Sequence, residues 1–270
     1  MKIVLDKYFT PVSIANHCYD VVIDLIGEDN IDEIVEPSVG NGSFLHHSIV
    51  NRKPMLCIDI DSGVDNVNGI DIIRADWLEY PIDYRSNRLV IGNPPYGSRM
   101  NLAQKFFKKS VVICDYIAFI LPISQLGNVQ SLYEFDLIHS EDLGELSYSG
   151  VKLRCCFNVY RRPLSGKLNS KASSKLSYVS ICRNDSKRYN DFVYDIRMCA
   201  WGDGSAGKIL SDGESYSAEY KIKIDDSCPF RDDVIDYLCN FDWCGYLSCI
   251  AMRKIQQFHI IDIIREKFGE

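Results

Sequence analysis

The chain has no CxxC pair, no apolar run of bilayer length, no surplus of positive charge, and no repeats or low-complexity tracts. Each absence narrows its function. Its 11 cysteines are scattered; Cys155 and Cys156 are adjacent, and Cys239, Cys244 and Cys249 lack a partnering histidine pattern, so no metal site is expected. Such usage fits a reducing compartment, where cysteine serves as a small buried hydrophobe. The longest apolar stretch, Tyr116–Leu121, is far too short to span a bilayer, and Met1–Lys7 carries no signal-peptide core. The expectation is a soluble, cytoplasmic chain with no membrane contact. A net charge of −7 argues against a protein that coats nucleic acid nonspecifically.

What is present is an ordinary globular composition over 270 residues, enough for one large domain with a small appendage. The distribution of charge says more than its sum. From Val151 to Leu176 the charged residues are Lys152, Arg154, Arg161, Arg162, Lys167, Lys171 and Lys175, with no acid among them. A second basic cluster, Arg99, Lys105, Lys108 and Lys109, follows the loop described below. Two such clusters around one loop favour a polyanionic partner.

Through the first 140 residues or so, β-rich apolar runs (Glu33–Pro37, Met55–Asp59, Ile70–Ala75, Arg88–Gly92, Tyr116–Leu121) alternate with helical patterns such as Pro11–Ile26 and Asn101–Val112. That alternation predicts a parallel sheet with helices on both faces. Gly144–Tyr148 and Arg154–Arg161 add an antiparallel edge pair, giving an α/β, Rossmann-like sheet of seven strands with the last pair reversed. After Arg162 the texture changes. The spacing predicts a catalytic domain over 1–163, a basic loop or linker over 164–176, and a small α+β region over 177–270. In that region Ser177–Cys182, Phe192–Met198 and Ala218–Ile224 read as strands, and Asp232–Asn240 and Arg253–Phe268 as helices. Trp201 and the glycines around it are either a target-recognition surface or a structural hairpin.

The chemistry gathers at strand ends. Glu36-Pro-Ser-Val-Gly40-Asn-Gly42-Ser-Phe44 follows the first strand, and its glycines let the turn pass close to a ligand. Cys57-Ile-Asp59-Ile60-Asp61 ends the second, where an acid commonly holds ribose hydroxyls; Asp61 is equally well read as a cap. Asp76-Trp77 ends the third strand. Asn93-Pro94-Pro95-Tyr96 ends the fourth: an amide acceptor, two prolines that stiffen the loop, and a stacking face make a rigid cup for a flat ring bearing an amine. Successive strands thus deliver polar or tight-turn residues to one carboxyl edge, where open α/β sheets bind ligands.

These segments, in this order, resemble the motifs of gamma-class DNA adenine-N6 methyltransferases of the restriction–modification or phage type. Tyr8-Phe-Thr10-Pro11 resembles motif X, Glu36–Phe44 motif I, Asp59-Ile60-Asp61 motif II, Asp76-Trp77 motif III, Asn93–Tyr96 the catalytic motif IV, Tyr116–Pro122 motif VI and Phe157-Asn-Val-Tyr160 motif VIII. The tetrapeptide also occurs in protein-glutamine and ribosomal-RNA guanine methyltransferases, so the order decides more than the motif. The resemblance implies S-adenosyl-L-methionine as cofactor, lying against Tyr8, Thr10, Pro11, Glu36, Pro37, Gly40, Gly42, Phe44, Asp59, Ile60, Asp76, Trp77 and Asn93. It implies catalysis by Asn93, Pro94, Pro95 and Tyr96 on an adenine flipped from double-stranded DNA. Tyr96 and Tyr160, or Phe157, would hold the base, and Arg161, Arg162 and Lys167 the phosphates. A cognate restriction enzyme or other subunit is a possible partner. Alternatives are methylation of RNA adenine or of a protein glutamine, and a catalytically silent nucleic-acid-binding subunit.

Overall fold

The computed structural model describes residues 10–61, 65–148, 151–171, 175–202, 204–249 and 254–269. Tyr8, residues 172–174 of the expected basic loop, and the expected helix start at Arg253 lie outside them. The chain divides into two compact units, Met1–Lys171 and Ala172–Glu270.

The first unit is built on one sheet. Its strands are β1 (Glu33–Glu36), β2 (Met55–Asp59), β3 (Asn66–Val67), β4 (Ile70–Arg74), β5 (Arg88–Gly92), β6 (Tyr116–Pro122), β7 (Asp136–Tyr148) and β8 (Val151–Arg161). Their spatial order is β3-β4-β2-β1-β5-β6-β8-β7. Strands β4, β2, β1, β5 and β6 are parallel, while β8 runs against β6 and β7 against β8. This is the doubly wound, Rossmann-like arrangement expected, with eight strands rather than seven. The extra one, β3, is a two-residue strand returning antiparallel onto β4.

All five residues of β5 are buried, the pattern of a central strand covered on both faces. Helix α1 (Val12–Ile26) buries Ala15, Cys18, Tyr19 and Val22, and helix α2 (Asn101–Val111) buries Ala103, Phe106, Phe107 and Ser110 with Val111. Both sets start with the i, i+3, i+4, i+7 spacing of a single helical stripe. α1 packs with Ile34, Leu89 and Ile91 on one face, and α2 with Val35, Val90 and Phe119 on the other. Each buried phenyl or leucyl side chain contributes roughly 1.5–3 kcal/mol through removal from water. The remaining crossovers carry short 3-10 turns or loops, such as Ser43–Leu45 and Ser48–Asn51 between β1 and β2. The expectation of helices on both faces therefore holds with one α-helix per face among the described residues.

At the amino edge of the sheet Asp115 gathers bonds from the Asn87 amide (3.0 Å), the Tyr84 hydroxyl (3.0 Å) and Arg162 Nε (2.9 Å). Arg162 also donates to the carbonyls of Cys114 (2.8 Å) and Val111 (2.5 Å), and its guanidinium lies 4.9 Å from the Phe135 ring centroid. The side chain is thereby used up as a structural clamp. Arg162→Ala is expected to cost about 2–3 kcal/mol, the scale of charge-assisted bonds with a half-buried carboxylate left behind. A urea-unfolding midpoint unchanged from the parent chain would contradict this.

The second unit has a three-stranded antiparallel sheet, β9 (Val179–Arg183), β10 (Ile196–Cys199) and β11 (Glu219–Ile224), in the order β10-β11-β9. Helices α3 (Arg231–Asn240), α4 (Trp243–Cys249) and α5 (Gln257–Phe268) complete it. Met198, Tyr220, Ile222, Val234, Ile260 and Ile264 lie in its core.

Candidate active site

The parallel strands end together, and the loops leaving them form a cleft lined by Thr10, Glu36, Ser38, Val39, Gly40, Asn41, Ser43, Phe44 and Asn93. Three segments far apart in sequence are tied into one piece here. Asn93 Nδ2 donates to Thr10 Oγ1 (3.2 Å), Ser43 Oγ donates to the Thr10 carbonyl (2.5 Å), and Ser38 Oγ donates to the Asn93 carbonyl (3.2 Å). The first of these turns the Asn93 amide so that its nitrogen faces Thr10. Pro11 stands at the N-cap of α1, where its carbonyl accepts from Ile14; a proline there gives up no needed donor.

The loop after β1 owes its course to two glycines. Gly40 has φ 58°, and its amide donates to Asp59 Oδ2 at 2.7 Å. Gly42 is left-handed (φ 82°, ψ 19°), and a Cβ there would come within 2.8 Å of Val67 Cγ2. Asp59 Oδ1 accepts from the Asp61 amide (2.7 Å), so one carboxylate organises both the loop after β1 and the turn after β2. Ile60 beside it is 52% exposed, an apolar side chain held at the open edge.

Glu36 is the electrostatic centre. It is 1% exposed, and its Oε2 has no hydrogen-bond partner among the described residues. Burial pushes its carboxyl well above the usual carboxylate range, and the Asp59 charge adds to this. An acid placed so, at the wall of a cleft, is a site where a cation would be favoured.

Asn93 occupies the cleft, with Pro94 buried and Pro95 half-buried behind it. Tyr96 is 6% exposed and packs with the α2-side core; its hydroxyl lies 3.6 Å from Cys155 Sγ, and its carbonyl accepts from Leu102 at the start of α2 (3.2 Å). Gly97 follows at φ 67°, where a Cβ would strike Asn101 Oδ1 at 2.1 Å. Phe44 is buried at the cleft wall, and Pro37 is buried next to Glu36 in the chain without lining the cleft. Asp76 is exposed and accepts from the Leu78 amide (2.9 Å). Trp77 turns into the core instead: it is 2% exposed, 6.5 Å from the Phe106 ring, with Lys109 Nζ 4.9 Å over its face.

Other expected contacts are not brought to this cleft. Phe157 and Tyr160 are both fully buried and belong to cores on opposite faces of the sheet. Tyr160 pairs with Ile117, near the amino end of β6, stands 4.9 Å from Phe107, and accepts from Asn158 Nδ2 (2.9 Å). The β8 residue opposite Pro122 at the carboxyl edge is Cys155. Arg161 pairs with Tyr116 at the amino edge, and Arg162 is the clamp described above. Lys167 is exposed in a segment that Asn169 fastens to Glu134 and Asp136, again on the amino side. Arg161, Arg162 and Lys167 of the acid-free stretch therefore lie at the amino edge, not beside the Asn93 loop. A charge run shows composition, while the antiparallel register of β8 decides which edge receives it. Arg154, nearer the carboxyl edge, is engaged by Asp142. Ser38, Asn41 and Ser43 also line the cleft, and the signal for them in the sequence is their place beside Gly40 and Gly42 in the loop after β1. Among the described residues no group of three or more His, Cys, Asp or Glu is placed to hold a metal ion, and no helix is long and apolar enough to cross a membrane.

Fold and cleft together define an α/β chain with a cleft at the carboxyl edge of a doubly wound sheet. No protein-family model matches the chain. It is 22% identical over 257 residues to the type II methyltransferase M.CvrRI of Paramecium bursaria Chlorella virus XZ-6E, covering 82% of this chain and 64% of that protein. Among solved structures it is similar to a candidate RNA methyltransferase from Pyrococcus horikoshii (16% identity, TM-score 0.47, 60% of this chain and 89% of the other). It is also similar to the methyltransferase subunit of a type I restriction–modification system from Streptococcus thermophilus (14%, TM-score 0.42, 58% and 45%). These likenesses are distant, and the fold assignment rests on the strand order itself.

Proposed function

We propose that the chain transfers a methyl group from S-adenosylmethionine to the N6 amino group of an adenine flipped out of duplex DNA. The observation that carries this reading is the convergence of Thr10, Ser38, Gly40, Ser43, Asp59 and Asn93 on one sheet edge, tied by direct hydrogen bonds, around the buried carboxyl of Glu36. The distant likeness to a type II methyltransferase agrees with it.

The cleft suits such a cofactor on its own chemistry. A buried carboxyl oxygen without a partner calls for a cationic group. The closed part of the cleft is only about 20 Å³, far below the roughly 300–1,000 Å³ of pockets that enclose a whole ligand. The cleft therefore holds one end, beside Thr10, Glu36 and Phe44, and the other end extends past Asp59 and Ile60. Asp59 is the ribose acceptor in this assignment and Asp76 the acceptor for the cofactor's adenine amine. The cofactor supplies an electrophilic methyl on a positively charged sulfur.

The exocyclic amine of adenine is a poor nucleophile because its lone pair is delocalised into the ring. Asn93 Oδ1 and the Pro94 carbonyl each accept one of its N–H groups, which draws the nitrogen toward a tetrahedral shape and stabilises the positive charge that develops. Thr10 Oγ1 and Ser38 Oγ hold Asn93 by side chain and backbone, so the acceptors are oriented beforehand. No general base is needed, since the proton can leave after transfer. The base must leave the stack, at a cost of a few kcal/mol. Tyr96 is the aromatic assigned to stack on it, for which about 1–3 kcal/mol is available.

Incubating the protein with unmethylated plasmid and labelled S-adenosylmethionine, then mapping modified bases, tests the proposal. N6-methyladenine at a defined sequence is expected. Label incorporated into RNA or protein but never into DNA would overturn the substrate class.

A further inference from the structure

The second unit has a groove that the site above does not use. One face of the β10-β11-β9 sheet, carrying Ile222, Tyr220 and Ile224, is packed into the core. The opposite face carries Lys221, Lys223 and Arg197, and each of these cations is held. Lys221 Nζ donates to the Tyr189 carbonyl (2.7 Å) and lies 4.4 Å and 4.8 Å from the rings of Tyr189 and Tyr194. Lys223 pairs with Asp195 (3.1 Å), and Arg197 donates to the carbonyls of Ser211 (2.6 Å) and Glu214 (2.7 Å). The segment between β9 and β10 is thus pinned to this face through Tyr189 and Tyr194.

The same segment and the sheet border a groove of about 370 Å³ that includes Lys187, Arg188, Asp191, Phe192 and Val193. Lys187 and Arg188 are exposed and have no ion pair among the described residues, whereas Lys221, Lys223 and Arg197 are each held by a carbonyl, a ring or a carboxylate. Beside them Val193 is 73% exposed and Tyr194 36%. Two adjacent unneutralised cations next to an apolar ledge ask for a ligand with repeated negative charge and flat or apolar surface between the charges. A strand of nucleic acid has both. The openness of the groove suits a polymer better than a small anion, for which a buried, enclosing donor set would be needed. Asp191 makes the groove more than an anion sink, because a carboxylate there can accept from an exocyclic base amine.

We propose that this loop is a DNA-contacting groove, with Lys187 and Arg188 on phosphates and Phe192 and Val193 against sugars and base edges. The inference rests on the reading of DNA as substrate and names where a second part of it is held. Trp201, read from sequence as a possible recognition surface, is 53% exposed but does not line this groove.

The test uses the full chain and a fluorescent duplex of mixed sequence, with affinity followed by anisotropy over a range of salt. A Lys187→Ala, Arg188→Ala double variant should flatten the slope of log affinity on log salt by about 1.8, since each lost phosphate contact removes about 0.9. Lys208→Ala, which removes a cation already paired with Glu214, should leave the slope unchanged, and Val193→Asp should weaken binding while melting like the parent. Parental slope and affinity in the double variant and in Val193→Asp, with a parent chain that binds and methylates DNA, would overturn the groove and leave the methyl-transfer reading intact. A parent chain that neither binds nor methylates DNA would overturn both.

Discussion

Asn93→Ala is expected to keep S-adenosylmethionine affinity within a few-fold of the parent while lowering the methyl-transfer rate by on the order of 10²–10³ or more. The two readouts separate because the residue's two ends do different work. Its amide nitrogen bonds Thr10 Oγ1 (3.2 Å) and its carbonyl accepts from Ser38 (3.2 Å), contacts that shape the loop. Its side-chain oxygen is the acceptor assigned to the reacting amine, an interaction that strengthens only as positive charge develops on nitrogen. Asn93→Asp sharpens the comparison. It keeps an acceptor but cannot donate to Thr10, and it brings a third carboxylate beside Glu36 and Asp59, so it should lose activity and also retain less of the parent's thermal stability. Single-turnover rates at saturating cofactor, alongside calorimetric cofactor titration, measure both. A rate within tenfold of the parent for Asn93→Ala would remove the residue from the chemistry.

The parts legible in the sequence were those set by local pattern. β5 reads as a continuous apolar run because both its faces are covered, and α1 and α2 read as helices because their buried stripes recur at helical spacing. Strand β7 was read from Gly144 but begins at Asp136. Its first half, with His139, Ser140, Glu141 and Asp142, lies at the sheet's rim and is only half covered, so neither apolar alternation nor a long apolar run marks it. β3 is two residues long and exists by pairing with β4. In the second unit α4 carries an interior glycine, Gly245, whose amide bonds Asp242, and a short helix with glycine inside gives a weak signal. α5 begins at Gln257, where Gln256 and His259 form reciprocal caps.

For the site, the strand-end positions were legible because a doubly wound sheet sends every parallel strand end to one edge. What sequence could not show was the destination of residues on the antiparallel strand β8. Tyr160 and Arg162 follow Cys155 closely in sequence, yet the reversed direction of β8 carries them to the amino edge and leaves Cys155 beside Tyr96. The same geometry disperses the acid-free stretch: Arg162 is spent on Asp115 and Arg154 on Asp142.

Glu36→Gln is expected to have effects of opposite sign on the free protein and on its cofactor complex. In the free protein the carboxyl is buried with Oε2 unpartnered, and burial raises its affinity for a proton well above that of an unfolded chain. The folded state therefore binds more protons than the unfolded one above the unfolded value of about 4.3. Glu36's contribution to stability is complete below that pH and declines as pH rises toward the folded value. Glutamine has nearly the same shape and never has to ionise, so the variant should lose less stability on going from acid to neutral pH, with a gain of about 1–3 kcal/mol where the parent's penalty is fully felt. Cofactor binding should respond the other way. A carboxylate facing a cation in a water-poor cleft is favourable, and removing its charge should weaken binding by on the order of 30-fold, or about 2 kcal/mol. Binding to the parent should also release a proton over the same pH window, because the cation draws the carboxyl back toward its ionised form. Calorimetry in buffers of different ionisation enthalpy reads that proton directly, and the variant should show none from this group. Equal proton release by parent and variant, or a variant that binds the cofactor as tightly as the parent, would mean that Glu36 is a buried structural acid and that the cationic end of the ligand lies elsewhere.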